Sequence, residues 1–259
     1  MKRNVQPLFL ECDRPQIITC WTGIVLFVLL ILWYAVWLVS NRQVMGSPMV
    51  SMPIALLSGL FLADLFSGFV HWGSDTWFDE TGWTRVVSIA REHHIHPHHI
   101  LGYGVRDYVA YSTWPALLIL GPVGLLVTLA FNPGLVIFHG VVVLFVVSVF
   151  MFFGSYTHAL GHTNTNSKVI RLAQRYRLLI SPRYHSVHHR DNHDIRYCVI
   201  NGWANYICDP IGFWRGLEWA VQHLTGAVPR KNDHEWFAHH DPCSPRRGRF
   251  VIGPASADR

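Results

Sequence analysis

Four stretches of the chain are each apolar over the length that carries a helix across a bilayer, about 20 residues. They run over residues 17–39, 49–70, 110–130 and 135–159. Backbone in hydrocarbon must satisfy its own N–H and C=O groups, so each stretch is read as an α-helix. Pro115 and Pro122 fall inside the third, where a membrane helix tolerates them better than a helix in water. Only 14% of the residues are charged and 51% are hydrophobic. A soluble domain carries about 25% charged residues. Charge this sparse cannot cover a soluble surface, and intrinsic disorder is excluded with it. The first run is about twice the length of a signal-peptide core and no small-residue cleavage site follows it, so it reads as a membrane anchor.

The basic residues orient these helices. Of 21 Lys and Arg, only Arg42 lies between the first two spans and none lies between the last two. The other twenty precede span one, separate spans two and three, or follow span four. Four crossings put all twenty on one side, which the positive-inside bias makes cytosolic. The expected fold is an all-α integral membrane protein, with four transmembrane helices and a cytosolic histidine-rich helical cap. Both termini fall on the cytosolic side. The expected parts are an N-terminal tail (1–16), a membrane domain with its cap (17–228) and a loose C-terminal tail (229–259). The net charge of +5 suits a face against anionic head groups. No nucleic-acid motif accompanies it, so no nucleic-acid partner is expected.

Histidine is the residue that stands out. There are 17, and all but His139 fall on or beside the cytosolic side. For His139 the expected role is structural, bonded to a neighbour. At the end of span two, Asp64, His71 and Asp75 are spaced by seven and four residues, which places them on one helix face. Asp64 lies about two turns inside the apolar stretch, where an ionisable group is costly and is a functional candidate by default. Next comes Arg91–His99, REHHIHPHH. Pro97 disfavours helix at His96, so a helix there should end near Ile95 with His93 and His94 in its last turn. Those two point about 100° apart and would serve different ions. His96, His98 and His99 lie past the break and are as well read as solvent-facing.

His158 and His162, at the end of span four, have the i,i+4 spacing that brings two imidazoles to one ion. Ser181-Pro182 is a helix start, with Ser as the cap and Pro in the first position. His185, His188 and His189 then form H-x-x-H-H on one face, with His193 a turn later. Nine candidate ligands result: His71, His93, His94, His158, His162, His185, His188, His189 and His193. Imidazole suits iron, zinc, copper and nickel, and nine ligands suit two ions with four or five each. Asp64 and Asp75 would orient ligands from behind.

Several rivals lose ground on spacing. Five scattered cysteines with no C-x-x-C exclude a cysteine-built zinc or iron–sulfur site. His234-Glu235 and His239 are one residue too long for H-E-x-x-H, and no glycine-rich nucleotide loop is present. A metal-handling or pH-sensing surface needs no H-x-x-H-H register. A haem-bridging electron carrier would use only two histidines. Apart from Asp64 the spans carry almost no charge to line a transport path.

H-x-x-x-H with H-x-x-H-H at membrane helix ends resembles the integral-membrane fatty acid desaturase and hydroxylase superfamily, although here His93-His94 comes first. The chain is more closely similar to the Kua or CarF-like lipid desaturases, the group that includes plasmanylethanolamine desaturase. The matching stretches are Ala63–Trp77 (ADLFSGFVHWGSDTW), REHH at 91–94, HALGHT at 158–163, HSVHHRDNH at 185–193 and NGWANYICDPIGFWRGLE at 201–218. His96 stands where an acidic residue is expected in the animal enzymes. The resemblance implies two non-haem iron ions, O2 as co-substrate, a membrane phospholipid substrate and an external electron donor, cytochrome b5-like or ferredoxin-like. The iron and oxygen would carry the C–H cleavage, which side-chain acid–base chemistry cannot perform. The expected reaction is O2-dependent desaturation of a 1-O-alkyl (plasmanyl) phospholipid to the vinyl ether (plasmenyl) form. The alternative is desaturation or hydroxylation of an acyl chain on a phosphoglycerolipid.

Overall fold

The computed structural model describes residues 14–46, 48–77, 93–94, 97–102, 104–190 and 193–229. The expected tail from 229 onwards therefore lies outside the described residues except for Pro229, as does His96. The described part is helical, without a strand. Four long helices come first: α1 (Arg14–Ser40), α2 (Pro48–Thr76), α3 (Val105–Ala130) and α4 (Leu135–Phe152). Their membrane-spanning portions are Ile17–Ser40, Met49–Thr76, Ser112–Ala130 and Leu135–Phe152, with mean hydropathies from 1.8 to 2.8. Exposed Ile18, Leu29, Val36, Leu57, Leu129 and Val136 face outward along them, as lipid-facing positions must.

The helices run alternately up and down. Trp114 Nε1 donates to Thr19 O near one end, and Trp37 Nε1 donates to Thr128 O near the other. That pairing makes α1 and α3 parallel, as an even number of crossings requires. Helix α4 is central, packing on α1, α2 and α3. The core joins Phe27, Leu30 and Tyr34 of α1 to Ala116 and Leu120 of α3 and Val141, Val147 and Met151 of α4. Tyr34 donates to Leu120 O at 2.7 Å. Its ring lies against Gly124, where a Cβ would come within 1.7 Å of the hydroxyl oxygen. His139 donates through Nδ1 to Leu135 O in its own helix, which fits a structural residue.

Span four departs from the sequence expectation. The helix breaks at Phe153, and α5 (Gly154–Leu160) starts anew. The hydroxyl of Ser112 on α3 accepts the Ser155 N–H at 2.7 Å, satisfying a donor that the new helix start exposes. The break redirects His158 and His162 over the end of the bundle. A cap follows, built of α6 (Lys168–Arg175), α7 (Pro182–His185), α8 (Asn205–Cys208) and α9 (Phe213–Thr225).

The cap is pinned to α2 by two side chains in the span. Asp64, fully buried, accepts from the backbone N–H groups of Ile200, Asn201 and Gly202 on Oδ1 and of Ala204 on Oδ2, at 2.9–3.0 Å. Ser67 Oγ accepts from Val199 N at 3.1 Å. Beside them Trp72, Tyr197, Cys198, Ala204, Cys208 and Trp214 form a second apolar core. Gly68 allows it to close, since a Cβ there would sit 2.5 Å from Cys198 Sγ.

Candidate metal centre

His71 and Asp75 project from the last turns of α2, one turn apart. His93 and His94 are helical and buried. His158 belongs to α5, and His162 follows its end. Ser181 caps α7 by accepting from Tyr184 N, with Pro182 in the first turn, as the sequence suggests. The helix is shorter than expected, however, and stops at His185. Beyond it the chain tightens, with His188 N bonded to His185 O at 2.9 Å. His193 adopts a left-handed backbone with φ 56°. The single helical face expected for His185 to His193 is therefore one short helix and a turn, which still brings the histidines together.

They assemble into two groups that share no residue. One holds His93, His158, His162, His185 and His189. The other holds His71, Asp75, His94 and His188. Within each group, one donor atom per residue lies within 4.8 Å of all the others. The groups adjoin, with the rings of His71 and His158 4.8 Å apart. His193 lies beside them, its ring stacked on His94 at 4.0 Å. Asp64 makes its bonds to the 200–204 backbone and lies a layer behind, whereas Asp75 is among the donors.

The spacing within the groups suits metal ions. Two nitrogens about 2.1 Å from one ion at angles between square and tetrahedral lie about 3.0–3.4 Å apart. His158 Nε2 and His185 Nε2 are 2.8 Å apart, His189 Nε2 and His185 Nε2 3.1 Å, and His188 Nε2 and His94 Nε2 3.3 Å. Asp75 Oδ2 lies 3.2 Å from both His71 Nε2 and His94 Nε2 and 3.5 Å from His188 Nε2. Among the described residues, neither ring nitrogen of buried His93 makes a hydrogen bond, and the Asp75 carboxylate meets no donor apart from these imidazole nitrogens. Buried polar atoms left in this state are rare and point to a missing partner.

The other ring nitrogens are anchored where an orienting contact is needed. His71 Nδ1 donates to Tyr197 O at 3.0 Å, and His188 Nδ1 donates to Ile195 O at 2.6 Å. Each contact fixes the tautomer that leaves Nε2 free to ligate. Burial, reinforced by neighbouring imidazoles, holds His93, His158, His185 and His189 well below the ordinary histidine range. Their rings are neutral, the form that binds a metal. The carbonyls of Tyr197 and Ile195 carry no sequence signal. Asp75 does, because it lies one helical turn after His71.

The lipid desaturase domain family matches residues 60–232, which hold both groups. The chain belongs to the lipid desaturase family. This lipid desaturase is thus an oxidoreductase by family. Among its relatives, plasmanylethanolamine desaturase 1 of Mus musculus is 29% identical over 229 residues, covering 83% of this chain and 81% of that one. The plasmanylethanolamine desaturase of Myxococcus xanthus is 28% identical over 190 residues, 69% of this chain and 63% of that one. The chloroplastic fatty acid desaturase 4 of Arabidopsis thaliana is 33% identical over 184 residues, 68% of this chain and 54% of that one. No solved structure matches the chain.

Proposed function

We propose that this lipid desaturase holds two iron ions and uses O2 to convert a 1-O-alkyl phospholipid to its vinyl ether. The observation that carries the reading is the pair of adjoining donor groups, one of five histidines and one of three histidines with Asp75, in a chain of this family. Hard C–H cleavage requires a redox metal and an oxidant, which iron with O2 supplies when bound. The mouse relative, matched over most of both chains, carries the plasmanylethanolamine name.

The chain's own residues do the holding and positioning. In this reading His93, His158, His162, His185 and His189 bind one ion. His71, Asp75, His94 and His188 bind the other. Asp75 acts as a ligand, where the sequence suggested an orienting residue, because its carboxylate stands 3.2–3.5 Å from three imidazole nitrogens. His193 packs on His94 and limits its rotation. The backbone carbonyls of Tyr197 and Ile195 hold His71 and His188 in the ligating tautomer. Asp64 acts at one remove, by fixing the loop that presents Tyr197. The side that carries these groups also carries the Lys and Arg excess and faces the cytosol in this reading. The Arabidopsis relative favours a second reading, acyl-chain desaturation at the same centre.

The test is lipid mass spectrometry of host cells with and without the protein, fed a 1-O-alkyl phospholipid. A product two mass units lighter that breaks down in mild acid is the expected result. An acid-stable product two units lighter would move the assignment to the acyl chain. Protein that carries iron yet yields neither product with a reductant supplied would overturn the desaturase assignment.

A further inference from the structure

A concavity of about 860 Å³ opens in the cap, on the far side of the chain segment that carries the ligands. Six arginines line it: Arg171, Arg175, Arg177, Arg183, Arg190 and Arg196. No carboxylate is among the described residues of its lining. The arginines that are held in place are held by neutral groups. Arg171 donates to Thr165 O, Arg196 donates to Tyr184 O and lies over the Tyr184 ring, and Arg177 donates to the Tyr206 hydroxyl. Among the described residues Asp209 approaches Arg196, accepting its backbone N–H at 3.2 Å, and none of the other five arginines forms an ion pair with a carboxylate, so the lining keeps a net positive charge. Arg177 adopts left-handed backbone at φ 56° where α6 ends, with Leu178 N bonded to Ala173 O and Arg177 N to Gln174 O.

The wall between this concavity and the histidine groups is one segment thick. Arg183, Tyr184, Val187 and Arg190 line the basic side. Their neighbours His185, His188 and His189 face the metal side. A lipid head group held here would have its chain cut off from the donors by that wall. The lining also offers only two aliphatic side chains, Leu179 and Val187, to receive such a chain. Electrons need no opening, since they tunnel through packed side chains.

We infer that this arginine-lined concavity is the docking surface for an acidic electron-carrier protein, which delivers electrons through the 183–190 segment. The inference rests on the di-iron reading above. Desaturation takes two hydrogens from the substrate, while reducing O2 to two waters consumes four electrons and four protons. The CH2–CH2 unit supplies two of each on becoming CH=CH. Two further electrons come from two molecules of a reduced one-electron carrier, and two protons come from water. Complementary charge raises the encounter rate of such a pair and makes it sensitive to salt.

The experiment follows oxidation of a reduced carrier by iron-loaded full-length protein in nanodiscs, by stopped flow. The carriers are the soluble haem domain of a cytochrome b5 and a [2Fe–2S] ferredoxin. Neither reading depends on lipid turnover. For the double variant Arg175→Gln/Arg183→Gln, the second-order rate should fall about tenfold or more at low salt. The salt dependence seen with the unmodified protein should flatten, and Arg175→Lys/Arg183→Lys should restore much of both. Reduction by methyl viologen, a small cation, should change less than twofold. An unchanged carrier rate and salt slope would overturn the docking assignment. So would a raised KM for phospholipid with carrier oxidation unaffected, which would make the concavity a head-group site. Normal docking kinetics with no lipid product would leave the surface assigned and remove the desaturase reading instead.

Discussion

Asp64→Asn should loosen the metal centre without touching a ligand. Asp64 accepts four backbone N–H groups, three on Oδ1 and one on Oδ2. That acceptor-only pattern is the pattern of an ionised carboxylate. A bond to a charged group contributes about 1.5–3 kcal/mol and a neutral one about 0.5–1.5. Asparagine keeps three acceptor bonds, each weaker by about 1 kcal/mol, and turns an N–H towards the Ala204 N–H. The lost bond and the stranded donor add about 2–4 kcal/mol. Removing a buried charge returns several kcal/mol of desolvation, so the net destabilisation is about 2–3 kcal/mol. It falls on the 199–204 segment, and through it on Tyr197 O, which orients His71. Loss of such an orienting contact typically costs 10–100-fold in metal affinity. The assay is iron release to a chelator, alongside a thermal melt in detergent. Ser67→Ala, which removes the bond from Val199 N and the one Ser67 donates to Asp64 O, should fall between Asp64→Asn and the unmodified protein. Asp64→Asn protein with unmodified release kinetics and midpoint would refute the claim that this carboxylate holds the loop.

Gly124→Ala should destabilise the bundle by about 1–3 kcal/mol through overpacking, because its methyl would fall 1.7 Å from the Tyr34 hydroxyl oxygen. Adding Tyr34→Ala should relieve the clash, and the melting midpoints of the single and double variants test this. In chelator-treated protein, His93, His158, His185 and His189 stay neutral when folded but titrate near pH 6.5 when unfolded. The unfolded chain then binds more protons below that pH. Stability should be full above about pH 6.5 and decline as pH falls through it, by up to about 1.4 kcal/mol per pH unit for each histidine. Equal melting midpoints at pH 5.5 and 7.5 would contradict neutral burial.

The membrane helices are legible because a bilayer leaves little choice: residues 17–39 and 49–70 are apolar for the required length, and α1 and α2 contain them. Hydropathy cannot see the break at Phe153. Polarity rises after it, at Gly154-Ser155-Tyr156-Thr157, but that alone does not end a helix, and the cause is tertiary, namely the Ser112 hydroxyl on α3 that accepts the Ser155 N–H. The H-x-x-H-H register likewise implies one helix through His193. The chain stops being helical at His185 because the next amides bond in a tighter turn, His188 N to His185 O and Arg190 N to Val187 O, while the His188 ring is drawn to Ile195 O. Spacing could bring the histidines to one place, but not specify the path between them.

The two aspartates show the limit most clearly. Asp64 and Asp75 lie eleven residues apart on one face of α2, and from spacing alone both could orient ligands. What separates them is depth and what lies opposite. Asp64 sits far enough inside the span that the 200–204 backbone, folding down from the cap, reaches it before any imidazole does. Backbone N–H groups there have no water to bond, so a carboxylate that satisfies four of them is accommodated inside the apolar layer. Asp75 emerges one turn after His71, level with His94 and His188, and three ring nitrogens lie within 3.5 Å of it. Among the described residues no Lys or Arg pairs with this buried carboxylate as a countercharge. A cation bound among these four residues would supply one. The same residue type on the same helix face is thus a structural clamp at one depth and a candidate ligand at the next.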